Sequence, residues 1–205
     1  MFAKTAKQLV VYLEENQIIK SDDRELYVYG FNQGLTILLN LVTTLGIGLL
    51  FDCTLQLVVF MVAYIPLRSY AGGYHARTPL KCYIVSIMML IAVSICLRCI
   101  ALNHWWYWIL VVLSILLIIF LSPVEDKNKP LDEMEVTVYR KRAIIITMVE
   151  VVLSILFGIL HISNLLSAMS LVFITMSSML VIGCVKNKLN AKRISSDRTL
   201  KNSKE

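Results

Sequence analysis

A thiol and an imidazole stand seven positions apart, Cys82 and His75, in the stretch Arg68-Ser-Tyr-Ala-Gly-Gly-Tyr-His75-Ala-Arg-Thr-Pro-Leu-Lys-Cys82. Such a pair suits nucleophilic catalysis, in which a thiolate attacks a carbonyl and the imidazole moves the proton. Thr78-Pro79 is a helix-start signal, threonine at the N-cap and proline at the first helical position. Cys82 then falls in the first turn of a helix, at the positive end of its dipole. Arg77 and Lys81 add positive charge nearby, and both effects favour the reactive thiolate. On one continuous helix, residues seven apart share a face but differ by about 10 Å of rise, too far for direct proton transfer. The proline and the cap interrupt that helix. Gly72-Gly73 would give the backbone the freedom to fold His75 back over the helix start. Backbone N–H groups at the helix start or in the glycine turn could hold an oxyanion.

The elements that must position this pair are apolar. Of 205 residues, 58% are hydrophobic and 17% charged, too little charge for a soluble domain of this size. The apolar residues fall in six long segments, 32–51, 55–71, 83–102, 105–121, 143–160 and 165–185. That pattern predicts an all-α polytopic membrane protein of about six transmembrane helices. The second segment is short and ends at Pro66-Leu67-Arg68, so it could re-enter rather than span. Residues 1–20 hold no apolar run long enough for a cleaved leader, and the first span would act as the insertion signal.

Charge orients the bundle. With the N-terminus in the cytoplasm, the inner segments 1–31, 68–82, 122–142 and 186–205 hold four, three, five and seven basic residues, nineteen of the twenty in the chain. This asymmetry puts both termini, and the His75–Cys82 pair, on the cytoplasmic side. Trp105, Trp106, Tyr107 and Trp108 would form an aromatic belt at the outer interface. Three regions result: an amphipathic N-terminal region (1–31), a transmembrane catalytic domain (32–185) and a basic tail (186–205) expected to lack regular structure and to be drawn to anionic lipid.

Glu150 lies well inside the fifth apolar segment, where a carboxyl is costly and usually faces a partner or a cavity. It could orient a catalytic group, bind a substrate cation, or pair with a polar residue such as Gln33 or Asn40; pairing is the reading favoured here. Arg98, near an outer end, can snorkel. Cys96 and Cys99 make a Cys-x-x-Cys without the βαβ context of a redox motif, and read as small apolar residues on one helix face. No metal-ligand spacing, cofactor motif or nucleic-acid signature is present.

The stretch from Arg68 to His75, followed by Cys82 at the head of a span, resembles the accessory gene regulator B (AgrB) family. Ser122-Pro-Val-Glu-Asp-Lys-Asn-Lys-Pro-Leu131 is similar to that family's second cytoplasmic loop. The resemblance implies a membrane cysteine endopeptidase of a Gram-positive quorum-sensing system. Its substrate would be an AgrD-like propeptide with an amphipathic N-terminal helix and an acidic C-terminal tail. The enzyme would remove the tail and help close a thiolactone or lactone ring. It further implies His75 and Cys82 as the catalytic pair, Arg68, Gly72 and Gly73 as supporting positions, and a homodimer. Without the resemblance, a small transporter using Glu150, or a membrane scaffold using the basic tail, would remain open.

Overall fold

The computed structural model describes residues 3–16, 18–20, 23–74, 78–99, 105–124 and 132–202, with the backbone alone from 190 onward. Seven helices follow one another: α1 (Ala3–Glu15), α2 (Arg24–Leu50), α3 (Thr54–Ala71), α4 (Pro79–Cys99), α5 (Trp105–Leu121), α6 (Glu133–Ile159) and α7 (Ser163–Asn202). Among the described residues there is no strand beyond one isolated bridge between Gly72 and Val124. The six apolar segments of the sequence thus lie in α2 to α7.

Five of these helices, α2, α3, α4, α6 and α7, are long and apolar enough to cross a membrane. α5 has 17 residues, about 25 Å at 1.5 Å per residue, somewhat less than a bilayer core of about 30 Å. It is nevertheless built into the bundle through Tyr107, Val111, Ser114 and Ile118, all buried. Apolar side chains elsewhere on these helices face outward, as expected where lipid is the solvent.

The second apolar segment, which the sequence left open to re-entry, forms an unbroken 18-residue helix. Leu57, Phe60, Tyr64, Leu67 and Ala71 are buried at three- and four-residue spacing, so α3 is a central element packed on α2, α4, α6 and α7. Pro66 lies within it, on an exposed face. α7 is the other central helix, with Ala168 to Phe173, Met176 and Leu180 all buried. Its polar continuation, predicted to lack regular structure, stays helical to Asn202. No Gly or Pro occurs after Gly183, so nothing stops a helix already nucleated in the bundle. α1 packs on α2 through Ala6 and Val10, both fully buried, and Glu14 lies 3.6 Å from Arg24.

Two expectations at the far end of the bundle change. Trp105, Trp106 and Trp108 are exposed, but Tyr107 turns into the core and is 1% exposed, its hydroxyl meeting Ser170. Arg98 does more than snorkel. It donates to the backbone oxygens of Phe51 (2.7 Å) and Asp52 (3.0 Å) at the C-terminus of α2, and it lies 2.9 Å from the Asp52 carboxylate. Helix C-termini leave carbonyls without intrahelical donors, and a guanidinium there also favours the dipole.

The carbonyl contacts should outweigh the ion pair, since the Asp52 carboxylate is 94% exposed and exposed pairs contribute little. Arg98→Ala should lower the melting temperature in detergent by a few degrees, roughly what a loss of about 1 kcal/mol does in a chain of this size. Asp52→Asn, which retains tolerance of the positive φ of 49°, should leave it nearly unchanged.

Candidate active site

α4 begins where the sequence placed its start. Thr78 Oγ1 accepts a hydrogen bond from the Lys81 N–H at 3.4 Å, and the Cys82 N–H donates to the Thr78 carbonyl at 3.0 Å. Cys82 is therefore in the first turn of α4, half-buried, with Lys81 exposed beside it. His75 and Arg77 lie outside the described residues.

The chain leading to them is held from three sides. α3 ends at Ala71, and the Ala71 carbonyl accepts from the Val124 N–H at 2.9 Å. The Gly73 N–H donates back to the Val124 carbonyl at 3.3 Å, and the Tyr74 N–H donates to the Met179 carbonyl of α7 at 3.1 Å. Arg68 closes the turn from within: Nη1 donates to the Gly72 carbonyl at 3.3 Å and Nη2 donates to the Tyr74 carbonyl. Lys186, about two turns further along α7, sits 4.7 Å from the centre of the Tyr74 ring.

This changes the meaning of the two glycines. They do not loosen the loop; they permit close approach. Gly72 and Gly73 have φ of 75° and 114°, where side chains are strained. A Cβ on Gly72 would fall 2.2 Å from the Val124 oxygen. One on Gly73 would come within 3.2 Å of the Met179 oxygen, and one on Gly183 would lie 3.0 Å from the Gly73 carbon and the Tyr74 nitrogen. Gly183, which sequence reading missed, is thus the α7 side of the same contact; a lone glycine on an apolar helix carries no signal until the partner backbone is known.

Cys82 lines a cavity of about 780 Å³ bounded by α2, α3 and α4. Its wall also carries polar and aromatic residues, Tyr64, Arg68, Tyr70, Tyr74 and Tyr139. Tyr64 is a second residue the sequence did not single out. It is 5% exposed, stacks on Phe60 at 5.3 Å, has the Arg68 guanidinium 6.0 Å from its ring centre and lines the same cavity as Cys82. Tyr70 packs against Tyr139 at 5.6 Å, and Arg142 donates to the Tyr70 hydroxyl at 3.2 Å. Thr43 and Tyr83 share a 2.7 Å hydrogen bond that fastens α2 to the first turns of α4.

Glu150 is elsewhere. It is buried in α6 and does not line this cavity, and neither carboxyl oxygen has a hydrogen-bond partner among the described residues. The expected pairing with Asn40 is not found: Asn40 Nδ2 donates to the Thr36 carbonyl of its own helix at 3.0 Å, and the Gln33 side chain lies outside the described residues.

Residues 6–183 match the family model described as accessory gene regulator B. Among curated proteins, the chain is 29% identical to the accessory gene regulator protein B of Staphylococcus haemolyticus over 115 residues, 56% of this chain and 61% of that protein. It is 32% identical to an AgrB-like protein of Listeria monocytogenes over 133 residues, 60% of this chain and 63% of that one. An AgrB-like protein of Clostridium perfringens is 25% identical over 118 residues, 54% of this chain and 55% of its own. The matches thus span between half and two thirds of these relatives. No solved structure matches the chain.

The glycine contacts rank three substitutions. Gly72→Ala should be the most disruptive, Gly183→Ala intermediate at about 1–3 kcal/mol of overpacking, and Gly46→Ala, where a Cβ meets nothing within 4 Å, neutral or slightly stabilising. Melting temperature and the alkylation rate of Cys82 by iodoacetamide, measured in detergent, would check the order.

Proposed function

Because the chain belongs to the accessory gene regulator B family, we propose that it is a membrane cysteine endopeptidase with a His75–Cys82 dyad. Its substrate would be an AgrD-like propeptide with an acidic C-terminal tail. The observation that supports this most directly is the setting of Cys82: first turn of a capped helix, on the wall of a cavity, beside a turn held rigid by Arg68. His75 follows Tyr74 directly, and only three residues, His75 to Arg77, separate Tyr74 from the Thr78 cap.

The chemistry then runs in four steps. His75 takes the Cys82 proton, leaving a thiolate. Sγ attacks the carbonyl at the end of the pheromone region, forming the C–S bond. The C–N bond breaks as protonated His75 gives its proton to the leaving amine, and the acidic tail departs. A thiol or hydroxyl within the propeptide attacks the thioester, its proton returns to Cys82 by way of His75, and the ring closes. Arg68 acts as a positioning residue, since both of its terminal nitrogens hold backbone carbonyls of the turn. Arg77 and Lys81 add positive potential near the thiolate. The enzyme would work as a homodimer in the cell membrane of a Gram-positive bacterium, with the site on the cytoplasmic side, where basic residues attract the acidic tail and the amphipathic propeptide helix lies on lipid. Ring closure needs no cofactor.

A transporter reading retains one observation, that Glu150 has no hydrogen-bond partner among the described residues, while the weak second span it would also have used is an unbroken helix. The two readings separate on one assay. Purified protein in lipid is mixed with an AgrD-type propeptide, and protein and peptide are weighed by mass spectrometry. Wild type should show an acyl adduct, released tail and a product lighter by one water than the linear peptide. Cys82→Ala and His75→Ala should show none of these, whereas processing undiminished in Cys82→Ala would overturn the peptidase.

A further inference from the structure

The cavity has two chemically different ends. Cys82 begins a stripe on α4 that continues through Ser86, Met89 and Leu90 along the same wall. Leu90 is eight residues on, about 12 Å below the thiol by helical rise. Met61 of α3 also lines the cavity, about 15 Å by helical rise from the Ala71 end of that helix. The polar residues there use their donors locally: Thr44 Oγ1 donates to the Asn40 carbonyl at 2.8 Å, and Ser86 Oγ donates to the Cys82 carbonyl at 3.1 Å. The polar lining residues Arg68, Tyr70 and Tyr74, by contrast, come from the C-terminus of α3 and the turn that leads to the α4 start.

We propose that the groove running from Cys82 towards Leu90 is the binding site for apolar side chains on the acyl side of the scissile bond. The inference rests on the peptidase reading and adds what that site selects. When the C–N bond breaks, the leaving peptide diffuses away and the acyl part stays on Sγ. The leaving part is acidic and must exit past the polar, basic end. The retained part is left with the other direction, into a wall of Leu, Met and Val. Apolar side chains gain there by leaving water. A charged side chain would lose its hydration without a partner.

The test uses the intact protein in lipid nanodiscs with a propeptide carrying Leu or Phe next to the cleavage site. Changing those acyl-side residues to Asp should cut kcat/KM by roughly tenfold or more, and the same change just beyond the scissile bond should cut it far less. Met61→Trp and Met89→Trp, which fill the groove, should impair the bulky peptide by a similar factor and partly restore selectivity towards one with Ala at the same position, while iodoacetamide still alkylates Cys82 at the wild-type rate. As a check that needs no variant, a propeptide with photo-leucine on the acyl side should crosslink to α3 and α4 of wild type.

Equal effects on the two sides of the bond, wild-type processing by both filled variants, or crosslinks confined to lipid would each overturn the subsite. A lipid retained in the groove through turnover, seen by native mass spectrometry, would do the same by naming another occupant. Processing that survives Cys82→Ala would instead remove the peptidase reading beneath it.

Discussion

The arrangement around Cys82 depends on a single steric constraint: three backbone segments meet at a distance only glycine permits. The turn after α3 lies between the Val124 carbonyl on one side and α7 at Gly183 on the other, with contacts that a Cβ would close to 2.2 Å and 3.0 Å. Removing the side chains lets the turn exchange hydrogen bonds with Val124 and reach Met179. Backbone donors and acceptors at the end of a membrane bundle must be paired or reach water; here they pair with each other. Arg68 completes the turn by taking the Gly72 and Tyr74 carbonyls. Lysine has no planar fork to bridge both.

That constraint explains why the bundle is asymmetric. α3 and α7 are central because each carries part of the turn's support, α3 through Arg68 and α7 through Met179 and Gly183. α2 and α4 diverge around the cavity, joined near its rim by the Thr43–Tyr83 hydrogen bond. Arg98 ties the head of the α2–α3 connection to α4, so α2 and α4 are joined by polar contacts at two levels. Cavities in apolar interiors are normally costly. A space kept open by polar fastenings at two levels is a built feature rather than a packing fault.

Much of the fold was legible because lipid imposes long apolar segments, and all six correspond to helices within a few residues at most ends. α3 was left open to re-entry because its apolar run is short and ends at Pro66-Leu67-Arg68; the helix runs through Pro66 to Ala71, and the backbone carbonyls of the turn satisfy Arg68. The helical tail was missed because composition speaks of solvation, not of a helix continuing from a packed stem. At the site, the Thr78-Pro79 start of α4 was readable from local chemistry alone. Tyr64 and Gly183 were not, because each matters only through a partner far away in sequence. The glycine pair was noticed, but flexibility was assigned to residues whose use is close contact; sequence alone cannot distinguish these two uses of the missing Cβ.

The rigid turn and the groove bear on the energetics of the proposed reaction. Exchange of one thioester for another is nearly balanced, while hydrolysis runs downhill, so a cyclising enzyme must favour an internal nucleophile over water. Two physical means are available. One is effective concentration, which a bent, held peptide raises well above that of a free nucleophile. The other is exclusion of water from the acyl-enzyme. An apolar groove that holds the acyl side chains serves both, because the side chains that anchor the peptide also displace water from the space below Sγ. A loose loop would allow the thioester to swing towards solvent. A turn anchored on Val124, Met179 and Arg68 leaves the polar end as the way out for the tail and the apolar end as the place where the remaining peptide must fold back on itself. If the proposed reaction holds, the close contact at Gly72 would also bear on whether the product is a ring or a linear peptide.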